Sequence, residues 1–256
     1  MALSRPWAQF KAGSATWWIN RQFDEPDLRA RLGAADTLMS TSTQRIARDA
    51  APRNTEVARA EWNGTAVYIK RYRRKNFAQS VKDIFRPSRA RRAFECAFAL
   101  NEHGVATPPP IAVGEVRIGR KLNESFLITR EVPNAKTLFE HRALAKHRGQ
   151  TRVLVRALAR TLAKLHDADF SHSDPNFSNW LVAGPPFPEP KLLAIDLDGV
   201  RRTIRFVPAK AAAKDLHRLV RYMSPYERVW FVAQYCRARK KRLSPHELDR
   251  FCDDWI

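Results

Sequence analysis

The sequence predicts an α+β fold in which an antiparallel sheet with one helix comes first and a mainly helical half follows. The first observation is a hairpin signal, because Asn63-Gly64 separates two alternating segments at 55–62 and 65–72. The second is a run of leucines at helical spacing within 151–167, which is typical of a buried helix face. The third is a break with a proline at 131–134, between the two halves.

Residues 37–132 are predicted to form the first lobe. Two further strands are expected at 111–114 and 125–130, with a helix at 88–103 that Gly104 ends. Residues 1–36 are treated as an N-terminal extension. Their tryptophans are expected to pack onto the body of the domain, although contact with a membrane interface is an alternative.

Residues 133–256 are predicted to form the second lobe. Its helices are expected at 137–141, 151–167, 208–222, 225–241 and 244–255. The apolar face of the last helix and the leucines of 151–167 indicate packed rather than isolated helices.

Composition indicates anionic partners. The 256 residues include 46 Lys and Arg against 26 Asp and Glu, a formal net charge of +20. Such an excess suits nucleic acid, acidic lipid or a phosphorylated sugar. Three cysteines without a C-x-x-C pair argue against a disulfide framework or a zinc site and fit a reducing cytosol. We expect no signal peptide and no membrane span, because residues 1–30 lack an apolar core and no 18-residue apolar stretch occurs.

A polar loop and a later strand together predict phosphoryl-transfer chemistry. The loop runs from His172 to Asn179 as H-x-D-x-x-x-x-N, and about twenty residues later Ile195-Asp196 ends an apolar strand. Asp174 is the candidate base for the attacking hydroxyl. Asn179 and Asp196 offer the oxygen ligands that Mg²⁺ prefers. This order is typical of a kinase catalytic loop followed by a metal-binding acid.

A lysine on a predicted strand is the candidate for phosphate binding. Lys70 shares one strand face with Tyr68, between apolar neighbours, although an exposed strand lysine is a frequent alternative. Glu95 on the helix that follows needs a cationic partner, either Lys70 or an arginine at helical spacing such as Arg91 or Arg92.

The break after the sheet is the candidate adenine contact, through the Glu131 carbonyl and the backbone of Val132, since Pro133 has no N–H. The loop at 48–55 contains no glycine, so Arg53 or nearby backbone would have to hold the phosphates. Asp215 could brace the catalytic loop or be an exposed helix acid.

These motifs occur in one order, and together they resemble the bacterial lipopolysaccharide core kinases, the Kdo and heptose kinase family of the protein-kinase-like superfamily. The resemblance covers about residues 37–222. It implies a bilobal protein-kinase-like fold, ATP and Mg²⁺ as cofactors, and a sugar hydroxyl of the lipopolysaccharide core as acceptor. It also implies the residue roles: Lys70 on the phosphates, Glu95 as its partner, Asp174 as base, and Asn179 with Asp196 on the metal.

The partners that the resemblance implies are a lipid A–core intermediate and the anionic cytoplasmic face of the inner membrane, where the enzyme would be peripheral. Nucleic acid is then disfavoured, and no oligomeric state is predicted. This sequence departs from ordinary protein kinases at two motifs. Tyr68 stands where they have a small residue, and Leu197-Asp198 stands where they have Phe-Gly. Two alternatives remain: a kinase of another small molecule or of proteins, and a catalytically inactive binder of anionic partners.

Overall fold

The computed structural model describes residues 5–34, 37–39, 44–46, 55–73, 86–145, 147–203 and 207–240. The chain divides into two compact units, which are described separately. The first comprises Met1–Phe98 and Pro108–Glu131, and the second comprises Ala99–Thr107 and Val132–Ile256. After the sheet, the chain therefore passes from the first unit to the second between Glu131 and Val132, inside the predicted break at 131–134.

An antiparallel sheet of seven strands forms most of the first unit. Its strands are β1 (Trp7–Ala12), β2 (Ala15–Asn20), β3 (Gln44–Ile46), β4 (Thr55–Trp62), β5 (Thr65–Arg73), β6 (Pro110–Ile118) and β7 (Lys121–Arg130). Their order across the sheet is β1-β2-β6-β7-β5-β4-β3. Asn63 and Gly64 both have positive φ, at 50° and 72°, as a two-residue type I′ turn requires. The predicted β4–β5 hairpin is confirmed.

Each face of this sheet has its own helix. Helix α1 (Pro26–Gly33) contributes Leu32 to a core that also contains Val67 and Ile69. Helix α2 (Arg89–Glu102) contributes Phe94 to a second cluster with Tyr72. Because strand side chains alternate between faces, Tyr68 and Lys70 lie on the same face as Tyr72.

The N-terminal residues are part of the sheet. Strand β2 pairs with β6, and β1 closes the edge, so residues 7–20 add two strands to the lobe that the sequence began at residue 37. The side chain of Trp17 is fully buried, and that of Trp18 is 5% exposed. Packing is therefore the correct alternative for these two tryptophans, and they do not offer a membrane contact.

The second unit is mainly helical, as predicted. Its helices are α3 (Leu138–Ala143), α4 (Arg148–Asp167), α5 (Ala209–Val220) and α6 (Pro225–Ala238). Its short strands are β8 (Lys136–Thr137), β9 (Phe170–Ser171), β10 (Trp180–Ala183), β11 (Lys191–Ala194) and β12 (Arg201–Arg202). The leucines of α4 are buried, and α4 packs along α6. The predicted helix at 244–255 lies outside the described residues.

No helix in the described part of the chain is long and apolar enough to span a lipid bilayer.

Candidate active site

The loop after α4 is held in shape by one buried carboxylate. Asp215 of α5 is 1% exposed and accepts hydrogen bonds from the backbone N–H groups of His172, at 2.7 Å, and Ser173, at 2.9 Å. Ser173 has a φ of 66°, a left-handed conformation that a non-glycine residue adopts at some cost. Of the two alternatives for Asp215, the structure shows the brace.

A buried histidine and a tyrosine support this carboxylate from the other side. His166 Nε2 lies 3.2 Å from Asp215 Oδ2, and its Nδ1 lies 2.6 Å from the Tyr235 hydroxyl. Burial lowers the pKa of His166, so the ring is neutral at pH 7. Its Nε2–H therefore donates to Asp215, while Nδ1 accepts the Tyr235 O–H. Neither partner was predicted, because α4 and α6 are distant in sequence.

The candidate base projects from this braced loop into solvent. The Asp174 side chain is 62% exposed, and Arg218 Nη1 lies 3.9 Å from its Oδ1. Its Oδ2 accepts a hydrogen bond from the Asn176 side chain at 3.3 Å. The carboxylate is thus oriented by weak contacts and is open to a substrate hydroxyl.

Two hydrogen bonds tie together the segments that carry the candidate metal ligands. The Asn179 side-chain N–H donates to the Asp174 carbonyl at 2.9 Å, which leaves the amide oxygen as the atom for a cation. The Ile195 N–H donates to the Asn179 carbonyl at 2.9 Å, where β10 and β11 pair. Asp196 follows with a φ of 60°, another strained non-glycine residue. One amide and one carboxylate oxygen, both hard donors, fit Mg²⁺.

The lysine and glutamate of the first unit have defined neighbours. Lys70 Nζ lies 5.1 Å from the Tyr72 ring centroid, a cation–π contact. Glu95 Oε1 accepts a hydrogen bond from Arg91 Nε at 3.0 Å, one turn earlier on α2. Arg91 was the alternative partner for Glu95. Pairing of Glu95 with Lys70 stays a prediction.

The Glu131 side chain has partners that the sequence did not predict. Its carboxylate binds Arg59 through two guanidinium nitrogens, at 3.0 and 2.7 Å, and accepts the Tyr68 O–H at 3.2 Å. The hydrogen bonds from Arg59 hold the pKa of Glu131 below its usual value. The role of Arg59 was missed, although counting outward from the Asn63-Gly64 turn places it opposite Tyr68.

The other predicted nucleotide contacts have mixed outcomes. The Glu131 N–H is used by the sheet, donating to the Ala66 carbonyl at 2.8 Å. The Val132 carbonyl accepts the Ala135 N–H at 3.2 Å. The N–H of Val132 is therefore the better of its two backbone groups as a candidate adenine contact. Arg53 lies outside the described residues.

Comparison with known proteins identifies the family. A family model, "Lipopolysaccharide kinase (Kdo/WaaP) family", matches residues 39–252. The chain belongs to this family. A 3-deoxy-D-manno-octulosonic acid kinase of Vibrio parahaemolyticus serotype O3:K6 is 26% identical to this chain over 140 residues, which are 52% of this chain. The match spans 56% of that relative's length.

Solved structures give the fold of this family member. A structure titled "WaaP in complex with acyl carrier protein" matches with a TM-score of 0.64 and 20% identity, covering 91% of this chain and 96% of that chain. The BubR1 kinase domain matches with a TM-score of 0.42 and 12% identity, over 76% of this chain and 50% of that one. The WaaP match, together with a seven-stranded antiparallel sheet followed by a mainly helical unit, confirms the α+β fold predicted from the sequence.

Acidification is expected to destabilise the second unit. Burial lowers the pKa values of both His166 and His172. The unfolded chain therefore binds protons below the ordinary histidine pKa of about 6.5, while the folded chain does not. The stabilisation is complete above pH ~6.5 and declines as the pH falls, by up to roughly 2.7 kcal/mol per pH unit for two such groups. Urea unfolding at pH 7.5, 6.5 and 5.5 measures the slope.

Two variants show whether the buried histidines cause this dependence of the unfolding free energy on pH. His166→Gln should remove about half of it, since one of the two buried titrating groups is gone. Ser178→Ala, which removes an exposed hydroxyl and no titrating group, should leave the slope unchanged. Equal free energies of unfolding at pH 7.5 and 5.5 in the unsubstituted protein would contradict the prediction.

Proposed function

We propose that the protein transfers the γ-phosphoryl group of ATP to a Kdo or heptose hydroxyl of the lipopolysaccharide inner core. Family membership supports the reaction class. The observation that carries the proposal is the braced loop, in which an exposed Asp174 is joined through Asn179 to the strand that precedes Asp196.

Each predicted site residue has a role in this proposal. Asp174 accepts the proton of the attacking sugar hydroxyl, and its exposure lets that hydroxyl approach. Lys70 binds the α- and β-phosphates, with Glu95 as its partner. Asn179 and Asp196 would hold Mg²⁺, which would supply positive charge to offset that of the phosphates.

The remaining nucleotide contacts concern the base. Tyr68 and the backbone at Glu131 and Val132 face adenine in this proposal, and Arg53 contacts phosphate. The carboxylate of Glu131 is already neutralised by Arg59, so it does not repel the nucleotide.

A cation next to the base suits an anionic acceptor. Arg218 lies 3.9 Å from Asp174 and is 35% exposed, so its guanidinium can pair with a carboxylate or phosphate carried by the incoming sugar. Core sugars of lipopolysaccharide carry such groups. We infer that Arg218 helps to orient a Kdo or phosphorylated heptose acceptor.

The proposed acceptor also suggests where in the cell the protein acts. A lipid A–core intermediate is anchored in a bilayer, so we propose that the protein acts as a peripheral enzyme on the cytoplasmic face of the inner membrane. The excess of Lys and Arg over acidic residues favours contact with such an anionic surface.

The acceptor assay tests this proposal. The purified protein is incubated with γ-labelled Mg·ATP and either delipidated core oligosaccharide or a panel of amino sugars, aminoglycosides and choline. We expect label only in the oligosaccharide, with mass spectrometry locating one added phosphate on Kdo or heptose. Label in a panel compound but not in the core would refute the acceptor class. The Asp174→Ala protein serves as the blank.

Replacing Asp196, the acid after β11, should make the affinity for ATP less dependent on Mg²⁺. Asp196→Ala removes the charged ligand and leaves Asn179, so the Mg²⁺-dependent part of ATP affinity should fall by at least about tenfold, the loss expected for one strong charge–metal contact. Calorimetric titration of ATP with and without Mg²⁺ measures this. Asp27→Ala, which changes an exposed acid in the first unit, is the control. Unaltered affinity with Mg²⁺ would exclude Asp196 as a ligand.

A further inference from the structure

Most of the exposed large apolar side chains in the described part of the chain belong to the second unit. Six large hydrophobic residues are exposed among the described residues, and five of them belong to this unit. These five, with exposures of 49–72%, are Phe139, Leu144, Tyr222, Tyr226 and Val229. Single exposed apolar residues are ordinary, but a group of this kind marks an interaction site.

Arginines connect this group across three elements. Arg142 of α3 donates to the Tyr222 carbonyl and to the Glu227 carboxylate, the latter at 2.7 Å. Arg152 of α4 donates to the Tyr226 hydroxyl, and its guanidinium lies 4.9 Å from the centroid of that ring. The ends of α3, α4 and α6 therefore present one surface.

Helix α4 adds a basic stripe to this surface. Lysine or arginine recurs at every fourth position from Arg148 through Arg152, Arg156 and Arg160 to Lys164. Residues four apart lie on neighbouring turns of one helix side. The first two arginines, Arg148 and Arg152, are exposed, and Arg152 lies next to Tyr226. We call the set Arg142, Arg148, Arg152, Tyr222, Tyr226 and Val229 the arginine–tyrosine face.

This face is continuous with the catalytic loop. The Tyr222 ring lies 5.5 Å from the ring of Phe177, which stands between Asp174 and Asn179 in the loop. The Arg142 guanidinium lies 5.2 Å from the same Phe177 ring. A large partner seated on the arginine–tyrosine face would therefore lie beside the candidate base.

We propose that the arginine–tyrosine face is the docking surface for an anionic lipid bilayer. Arginines near an anionic bilayer are attracted to its headgroups, and tyrosine with exposed aliphatic side chains is suited to the interfacial layer. Nucleic acid would use the arginines and tyrosines of the face but would leave the exposed Val229 side chain without an apolar surface to contact. The choice of a bilayer rests on the proposed function, because a lipid-anchored acceptor must bring its membrane to Asp174.

Vesicle binding of the full chain tests the surface directly. Co-sedimentation is measured with phosphatidylcholine vesicles that contain either 0% or roughly 30% phosphatidylglycerol, an anionic content sufficient to give a negative surface potential. We expect binding only to the anionic vesicles, weakening with added salt. The double substitution Arg148→Glu/Arg152→Glu should lower affinity by at least about 25-fold, since each basic residue near such a surface contributes about fivefold.

A second variant and two controls separate charge, apolar contact and folding. Tyr226→Ser/Val229→Ser should lower affinity by at least about fivefold, because it removes two interfacial side chains. Lys11→Glu/Arg120→Glu and Ile118→Ser change exposed residues of the first unit and should bind as the unsubstituted protein does. All variants should keep its melting temperature.

The outcomes distinguish this proposal from the proposed function. Variants of the face should phosphorylate delipidated core oligosaccharide normally but vesicle-embedded acceptor poorly. Equal binding to both vesicle types, or unchanged binding by both double variants, overturns the proposal. Variants that lose affinity for acyl carrier protein, the partner in the WaaP structure, but keep vesicle binding would make the face a protein site and also overturn it. Absence of phosphoryl transfer to either acceptor would refute the function, while vesicle binding still decides the face.

Discussion

Replacing Asp174 with alanine is expected to lower turnover by about 10²–10⁴-fold, the range associated with a positioned general base. Nucleotide affinity should change by less than about twofold, because Asp174 is assigned to the acceptor hydroxyl and not to the metal. The side chain is 62% exposed, so its truncation should alter the free energy of unfolding by no more than about 0.5 kcal/mol. Initial rates with labelled ATP, paired with calorimetric binding, separate the two quantities.

The loop offers a matched control for this result. Ser178→Ala also truncates a polar side chain between Asp174 and Asn179, but it removes only the hydrogen bond to Asn176. It should retain turnover within a few-fold. If Asp174→Ala keeps more than about a tenth of the normal turnover, another group accepts the proton and the base assignment is wrong.

Local patterns were sufficient for much of the fold. The Asn63-Gly64 turn determines which residues of β4 and β5 are opposite, since both central residues need positive φ and a two-residue turn sets the register. The leucine repeat in α4 predicts its buried side for a similar reason, because 3.6-residue periodicity needs no knowledge of the partner. Asp174, Asn179 and Asp196 were likewise singled out by the residue types and order of two local motifs, and their roles as base and metal ligands stay predictions.

Contacts between distant segments could not be predicted in this way. Strand β2 pairs with β6, whose sequence begins some ninety positions later, so the pattern of residues 7–20 could not disclose its place in the sheet. The support of Asp215 by His166 and Tyr235 depends on α4 packing along α6. Glu95 had Lys70, Arg91 and Arg92 as possible cationic partners, and the sequence does not reveal the hydrogen bond that Arg91 donates to it.

Asp215→Ala is expected to affect both stability and turnover. The substitution leaves the N–H groups of His172, Ser173 and the His166 ring buried without their acceptor. Each of the three losses costs about 1–3 kcal/mol, so we expect a destabilisation of at least about 3 kcal/mol, measured by urea unfolding. Ser173 should then relax from its left-handed conformation and displace Asp174, which lowers kcat by more than about tenfold.

A variant of similar destabilisation shows whether the brace acts on catalysis beyond folding. Leu158→Ala opens a cavity on the buried side of α4, where the Leu158 side chain is fully buried, and should cost about 2–5 kcal/mol without changing a residue of the loop. At a temperature where circular dichroism shows both variants folded, Leu158→Ala should keep its kcat, and Asp215→Ala should lose it with little change in the KM for ATP. Tyr235→Phe, which removes only the hydroxyl that binds His166, should fall between them. Equal losses of kcat in Asp215→Ala and Leu158→Ala would mean that Asp215 stabilises the unit without positioning the base.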